Sequence, residues 1–184
     1  MATVLIAIVI AALGWVALAF NRFVKQRASA DNAWANVESE LQRRHNLIPN
    51  LVETVKGYAA HEERTFTDVA LARQQATAAQ GGPEMHNGPE QLLTSGLRQL
   101  LAVSEAYPEL KASGRFLDLQ QELVVTEDRI QAARRLFNAN VRDYNQRVET
   151  VPSMFVASAF GFPKRTYFEM EPSAAAVPSA RSTD

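Results

Sequence analysis

Residues 2–20, ATVLIAIVIAALGWVALAF, carry no charge, and Thr3 is their sole polar side chain. As a helix this run extends about 28 Å, close to the hydrocarbon thickness of a bilayer. Ten of its residues are Leu, Ile, Val or Phe, and their insertion free energies together favour the membrane by roughly 3–6 kcal/mol. A secretory signal peptide is the competing reading, and Ala17-Leu18-Ala19 matches a cleavage pattern. Against it, only Met1 and Ala2 precede the apolar run, and the nearby positive charges follow it. Arg22, Lys25 and Arg27 crowd that flank with no acidic residue before Asp31. The positive-inside rule therefore predicts an outside N-terminus with the remaining chain in the cytoplasm. Trp15 and Phe20, with Arg22, Lys25 and Arg27, are the expected membrane-interface residues.

The rest of the 184 residues is enough for one domain. A formal net charge of -1 gives no bulk attraction to nucleic acid or to acidic lipid, and the chain has no cysteine, so thiolate metal sites, disulfides and acylated-cysteine anchors are excluded.

Beyond the apolar run the pattern is helical. Trp34, Val37, Leu41, Ile48, Val52, Val55, Ala59, Phe66 and Val69 keep a three-four spacing with one gap near His45. Gly81, Gly82, Pro83, Gly88 and Pro89 predict a loop over 78–90, with Pro89 opening the next helix. That helix is expected over 89–106, stopped by Tyr107-Pro108 and Gly114. A long helix over 115–149 follows, with Phe116, Leu119, Leu123, Ile130, Ala133, Phe137, Val141, Tyr144 and Val148 on one stripe. No segment alternates as a strand does. The predicted class is all-α: a transmembrane helix (1–21), an antiparallel helical bundle with an aromatic C-terminal segment (22–169), and a disordered tail (170–184).

Pro49 removes a backbone donor and opposes the carbonyl of His45, so residues 22–79 form either one helix kinked there or two antiparallel helices, with Asn46 capping the second. Phase alone leaves both open. Arg43, Arg44, Leu47, Ile48, Pro49, Leu51 and Val52 cover more than one stripe's width; they either seal the break against another helix or form a contact surface for a second copy or a membrane-protein partner. Phe155, Phe160 and Phe162 are the second candidate surface, folding back on the bundle, entering a neighbouring subunit or meeting the headgroup region.

The chemistry-bearing residues do not assemble into a catalytic pattern. His45, His61 and His86 match no metal motif, and all three read as surface histidines. The acidic neighbours Glu38/Glu40, Glu62/Glu63 and Glu127/Asp128 read as solvated faces. Asn50, Tyr58, Arg129, Arg134 and Asn145 lie near predicted seams, where they would fix register. No cofactor or metal is expected. The alternatives are an enzyme using carboxylates inside the bundle, which needs two carboxyl groups converging in a pocket, and a sensor or adaptor that moves at Pro49.

Arg43-Arg44-His45-Asn46-Leu47-Ile48-Pro49-Asn50-Leu51-Val52, Ala106-Tyr107-Pro108-Glu109-Leu110-Lys111, Arg142-Asp143-Tyr144-Asn145 and Phe160-Gly161-Phe162 together resemble the LemA family over about residues 22–169. Many members carry aspartate where this chain has Asn46, and often tyrosine at His45. The resemblance implies a single N-terminal membrane helix followed by an antiparallel four-helix bundle, no established catalysis, and a part in membrane organisation. The expected role is a membrane-anchored scaffold that self-associates or recruits partners at the bacterial inner membrane.

Overall fold

The structure is a computed structural model and describes residues 1–169; the tail expected over 170–184 lies outside them. Helix α1, Ala2–Lys56, contains the whole apolar run and continues through Pro49 without a break. At 55 residues it is about 82 Å long. Neither reading of 22–79 holds whole: the helix runs on through Pro49 as the continuous reading requires, but it ends at Lys56 and the chain reverses over 57–62 before α2 begins.

Helices α2 (Glu63–Ala78) and α3 (Pro83–Glu105) pack on each other. The short α4 (Pro108–Lys111) leads into α5, Gly114–Glu149, which packs antiparallel along α1. The distal part of α1 with α2, α3 and α5 forms the expected four-helix bundle, and no strand occurs among the described residues. Gly96 sets the approach of α3 to α2, since a Cβ there would meet Val69 Cγ2 at 3.3 Å.

The loop expected over 78–90 is shorter, because α3 already starts at Pro83 and carries Gly88 and Pro89 inside it. Tertiary contacts override the local breakers. His86 sits edge-on to Trp34 with ring centroids 5.2 Å apart, and Glu90 is fully buried, so this turn is held from outside. Trp34 Nε1 also donates to the carbonyl of Gly81 (3.2 Å), fixing the α2–α3 turn on α1.

Three apolar clusters follow one another along α1. The first joins Ala19 and Phe23 to Tyr144, Val156, Ala157 and Phe162. The second runs from Ala30 to Leu41 against Ile130, Phe137, Val141 and Phe168. The third gathers Ile48, Leu51 and Val55 with α2, α3 and the start of α5. Stripe residues Trp34, Val37, Leu41, Ile48, Val55, Phe66 and Val69 are buried as the spacing requires.

Past α5, α6 (Ser153–Phe160) packs on both α1 and α5 and ends at Gly161, whose φ of 70° closes the helix in the left-handed region. Residues 162–169 have no regular structure and run back along α1 and α5. Asparagine amides hold this segment by pairing with its backbone. Asn145 donates to the Arg165 carbonyl and accepts from the Arg165 N–H, both at 2.8 Å. Asn138 does the same with Phe168 at 3.0 Å, and Asn87 accepts from the Glu169 N–H at 3.0 Å.

Candidate functional site

The apolar stripe of α1 is interrupted between Leu41 and Ile48, and that of α5 between Leu123 and Ile130. Both interruptions face the same point in the bundle. Arg44 Nη1 donates to Glu127 Oε1 (2.9 Å) and to Thr94 Oγ1 (3.3 Å), while Nη2 donates to Glu90. His45 Nε2 lies 2.8 Å from Glu90 Oε1. An ionised carboxylate only accepts, so this nitrogen carries the hydrogen. Thr94 Oγ1 in turn donates to the Glu90 carbonyl at 2.8 Å. The result is a polar layer between two apolar clusters, contributed by α1, α3 and α5.

This layer is dry. The side chains of Arg44 and Glu90 are 0% exposed and that of Glu127 6%. Burial disfavours the Arg44 charge, but attraction from Glu127 and Glu90 outweighs it and raises the guanidinium above its ordinary value. Burial likewise opposes an ionised Glu90; the hydrogen bond from His45 and the charge of Arg44 overcome it and hold the carboxyl below the usual carboxylate range. Glu90 is thus fixed as an anion rather than poised to give a proton. Two carboxylates do converge, as an enzymatic reading requires, and each is paired with Arg44.

Three expectations are corrected here. Glu127 is not part of a solvated face, and His45 and His86 are not surface histidines, with 3% and 6% exposure. Position 127 continues the spacing of Leu123 and Ile130, so a carboxylate on the apolar stripe was the available signal. Position 44 stands in the same relation to Leu41 and Ile48. Glu90 lies one turn before Leu93–Leu97, inside the segment expected to be loop, and its role was masked by Gly88-Pro89. Among the described residues no group of three or more His, Cys, Asp or Glu side chains is placed to hold a metal ion.

The first candidate surface divides. Arg44, Ile48 and Leu51 are buried, and Leu47 and Val52 are half-buried, whereas Arg43 and Pro49 are exposed. Ile48, Leu51 and Val52 seal α1 against the other helices. Pro49 has a specific consequence: lacking an N–H, it leaves the His45 carbonyl without its helical donor, and Arg73 Nε of α2 supplies one at 2.7 Å. Of the seam residues, Asn145 is buried and pairs with the tail; Asn50, Tyr58 and Arg129 are exposed and Arg134 half-buried.

The second candidate surface also divides. Phe162 is buried, stacked on Phe23 with ring centroids 4.9 Å apart. Phe155 and Phe160 are 64% and 52% exposed, although the Phe160 ring meets Phe20 edge-on at 5.1 Å. Of the expected membrane-interface residues, Trp15, Arg22, Lys25 and Arg27 are exposed and Phe20 is half-buried. The apolar window of α1 is only 6% buried, unlike a core helix, and it is long and apolar enough to cross a membrane.

A helical bundle closed around a buried ion layer, with its longest helix running out into an uncovered apolar span, defines a class of helical proteins built as a rod and a bundle in one piece. The chain belongs to the LemA family, whose sequence model matches residues 33–181. It is 28% identical over 178 residues to "Magnetosome protein MamQ" of Magnetospirillum gryphiswaldense, covering 83% of this chain and 65% of that relative. "Magnetosome protein MamQ 2" of Paramagnetospirillum magneticum is 27% identical over 89% of this chain and 70% of its own length. "Protein LemA" of Metamycoplasma hominis is 22% identical over 71% of this chain and 59% of its own.

Proposed function

We propose that the protein is a membrane-anchored scaffold of the bacterial inner membrane, acting by contact with further copies of itself or with membrane-protein partners. The observation that carries this reading is the continuity of α1. One helix supplies both the apolar span and a wall of the bundle core, with no joint between them. A bundle mounted in this way cannot swivel freely on its anchor, so its exposed faces, Arg43 and Pro49 among them, are held in a fixed position relative to the apolar span. The cations Arg22, Lys25 and Arg27 favour the bundle on the cytoplasmic side. Contact rather than turnover is favoured because both buried carboxylates are neutralised and enclosed.

The absence of native cysteine allows a direct test. A cysteine at Glu109, on α4 far from the apolar span, is expected to react with an impermeant maleimide only after the membrane is permeabilised. The full chain is expected to stay in carbonate-washed membranes and to sediment in lipid nanodiscs as more than one copy or with a crosslinked partner. Recovery in the soluble fraction removes the anchor, and a bare monomer with no crosslinked neighbour removes the scaffold.

A further inference from the structure

The chain between Glu149 and Lys164 is uncharged for its whole length, TVPSMFVASAFGFP, and α6 lies within it. Helix α6 buries Ser153, Val156 and Ala157 and turns its other side outward. That outward side is mainly apolar: Met154 is 39% exposed, Phe155 64% and Phe160 52%, with Ser158 its polar member, and Val151 in the turn just before the helix is 64% exposed. Left in water it is a costly surface for so short a helix.

Its position along α1 says what covers it. The cluster that includes Val156, Ala157 and Phe162 packs on Ala19 and Phe23, with Val16 and Phe20 at its edge. Val16, Ala19 and Phe20 belong to the apolar span itself, and Val16 lies about 6 Å inside the end of that span. A segment packed on these residues is therefore at hydrocarbon or headgroup depth whenever α1 crosses a bilayer. Directly above α6, a recess of about 430 Å³ is lined by Arg22, Gln26, Arg147 and Ser153, with Asp143 as its acidic member. Arg147 Nε donates to Gln26 Oε1 at 2.7 Å. Burial and then the like charge of Arg22 push the Arg147 guanidinium below its ordinary value, a crowding that an anion would relieve. Lys25 and Arg27 complete a cationic collar, while Lys164 and Arg165 are already paired with Glu149 and Asp31.

We infer that α6 is a second membrane contact, its Val151, Met154 and Phe155 face sunk into the bundle-side leaflet of the bilayer beneath a cationic collar that meets anionic phospholipid headgroups. This rests on the reading of α1 as a membrane span and extends it. One leaflet receives two apolar elements and the other receives one. Attachment at two points sets the tilt and rotation of the bundle on the membrane, which a single helix does not do.

Depth measurements on the full-length protein test it. Single-cysteine variants Phe155→Cys, Leu13→Cys and Leu92→Cys, each at an exposed position, carry an environment-sensitive fluorophore. They are reconstituted into phosphatidylcholine–phosphatidylglycerol vesicles with spin-labelled lipid quenchers near the headgroup or near the chain end. The Phe155 probe is expected to be blue-shifted, quenched several-fold more by the shallow quencher than by the deep one, and shielded from iodide. The Leu92 probe, about 36 Å beyond Phe20 at the level of Arg44, is expected to respond to iodide alone. If the Phe155 probe behaves like Leu92 while Leu13 is quenched by lipid, the α6 contact is wrong and the span stands. If Leu13 also escapes lipid quenching, both fail. If the Phe155 probe is shielded from iodide and from lipid and self-quenches, the face belongs to a second copy and the lipid contact is overturned.

Discussion

Arg44 carries more consequence than any other side chain in the bundle, because it is a fully buried cation whose neutralisation is divided between two helices. Removing one partner of such a set leaves an uncompensated charge in a dry interior. Glu90→Gln should therefore cost about 3–5 kcal/mol, read by urea unfolding of the detergent-solubilised protein. Replacing Arg44, Glu90 and Glu127 together by Met, Leu and Leu should be neutral or stabilising by about 1–4 kcal/mol, since all desolvation costs vanish at once. If the triple variant is stable yet loses a unique register, visible as broadened methyl spectra, the layer serves specificity. The acid response has a definite sign. The folded pKa of Glu90 is depressed, so its contribution is complete above the unfolded value, about 4.3, and is lost as pH falls through the lower folded value. In Glu90→Gln that acid-side loss should shrink, by unfolding midpoints between pH 6 and pH 3.

At the level of elements, the long helix and the C-terminal strap show opposite degrees of legibility. The three-four spacing of α5 predicts 115–149 against the observed Gly114–Glu149, because a long amphipathic stripe has one way to be buried. Pro49 is legible only as a defect. What replaces its missing hydrogen bond comes from Arg73 on another helix, twenty-eight residues along the chain from the His45 carbonyl it serves. Arg73→Ala should cost about 1.5–3 kcal/mol as a lost charged hydrogen bond to a carbonyl with no other helical donor. In a Pro49→Ala background, where the helix supplies its own donor, the same change should cost clearly less; an equal cost in both would disprove the link. The strap over 162–169 has no periodicity to read, since its backbone is satisfied by side-chain amides. Asn138→Ala removes both bonds to Phe168 and should cost about 1–3 kcal/mol, with hydrogen exchange at the Phe168 amide accelerated while α2 is unaffected.

For the molecule as a whole, the continuous α1 makes the sharpest prediction. Spin labels at Ala35 and Glu53, both exposed on α1, should lie about 27 Å apart between their backbone positions, whereas a reversal at Pro49 would bring them far closer. The sequence by itself determined the apolar span, the all-helical class and the bundle, because each depends on hydrophobic period and composition, which act locally and add along the chain; the family was legible in its motifs. Only the tertiary structure decided that Arg44, His45, Glu90 and Glu127 meet in one buried layer, and that Phe162 is core while Phe155 faces outward. It also decided that α6 packs beside the end of the apolar run. These depend on the register between helices far apart in the chain, and a periodic stripe looks the same in every register.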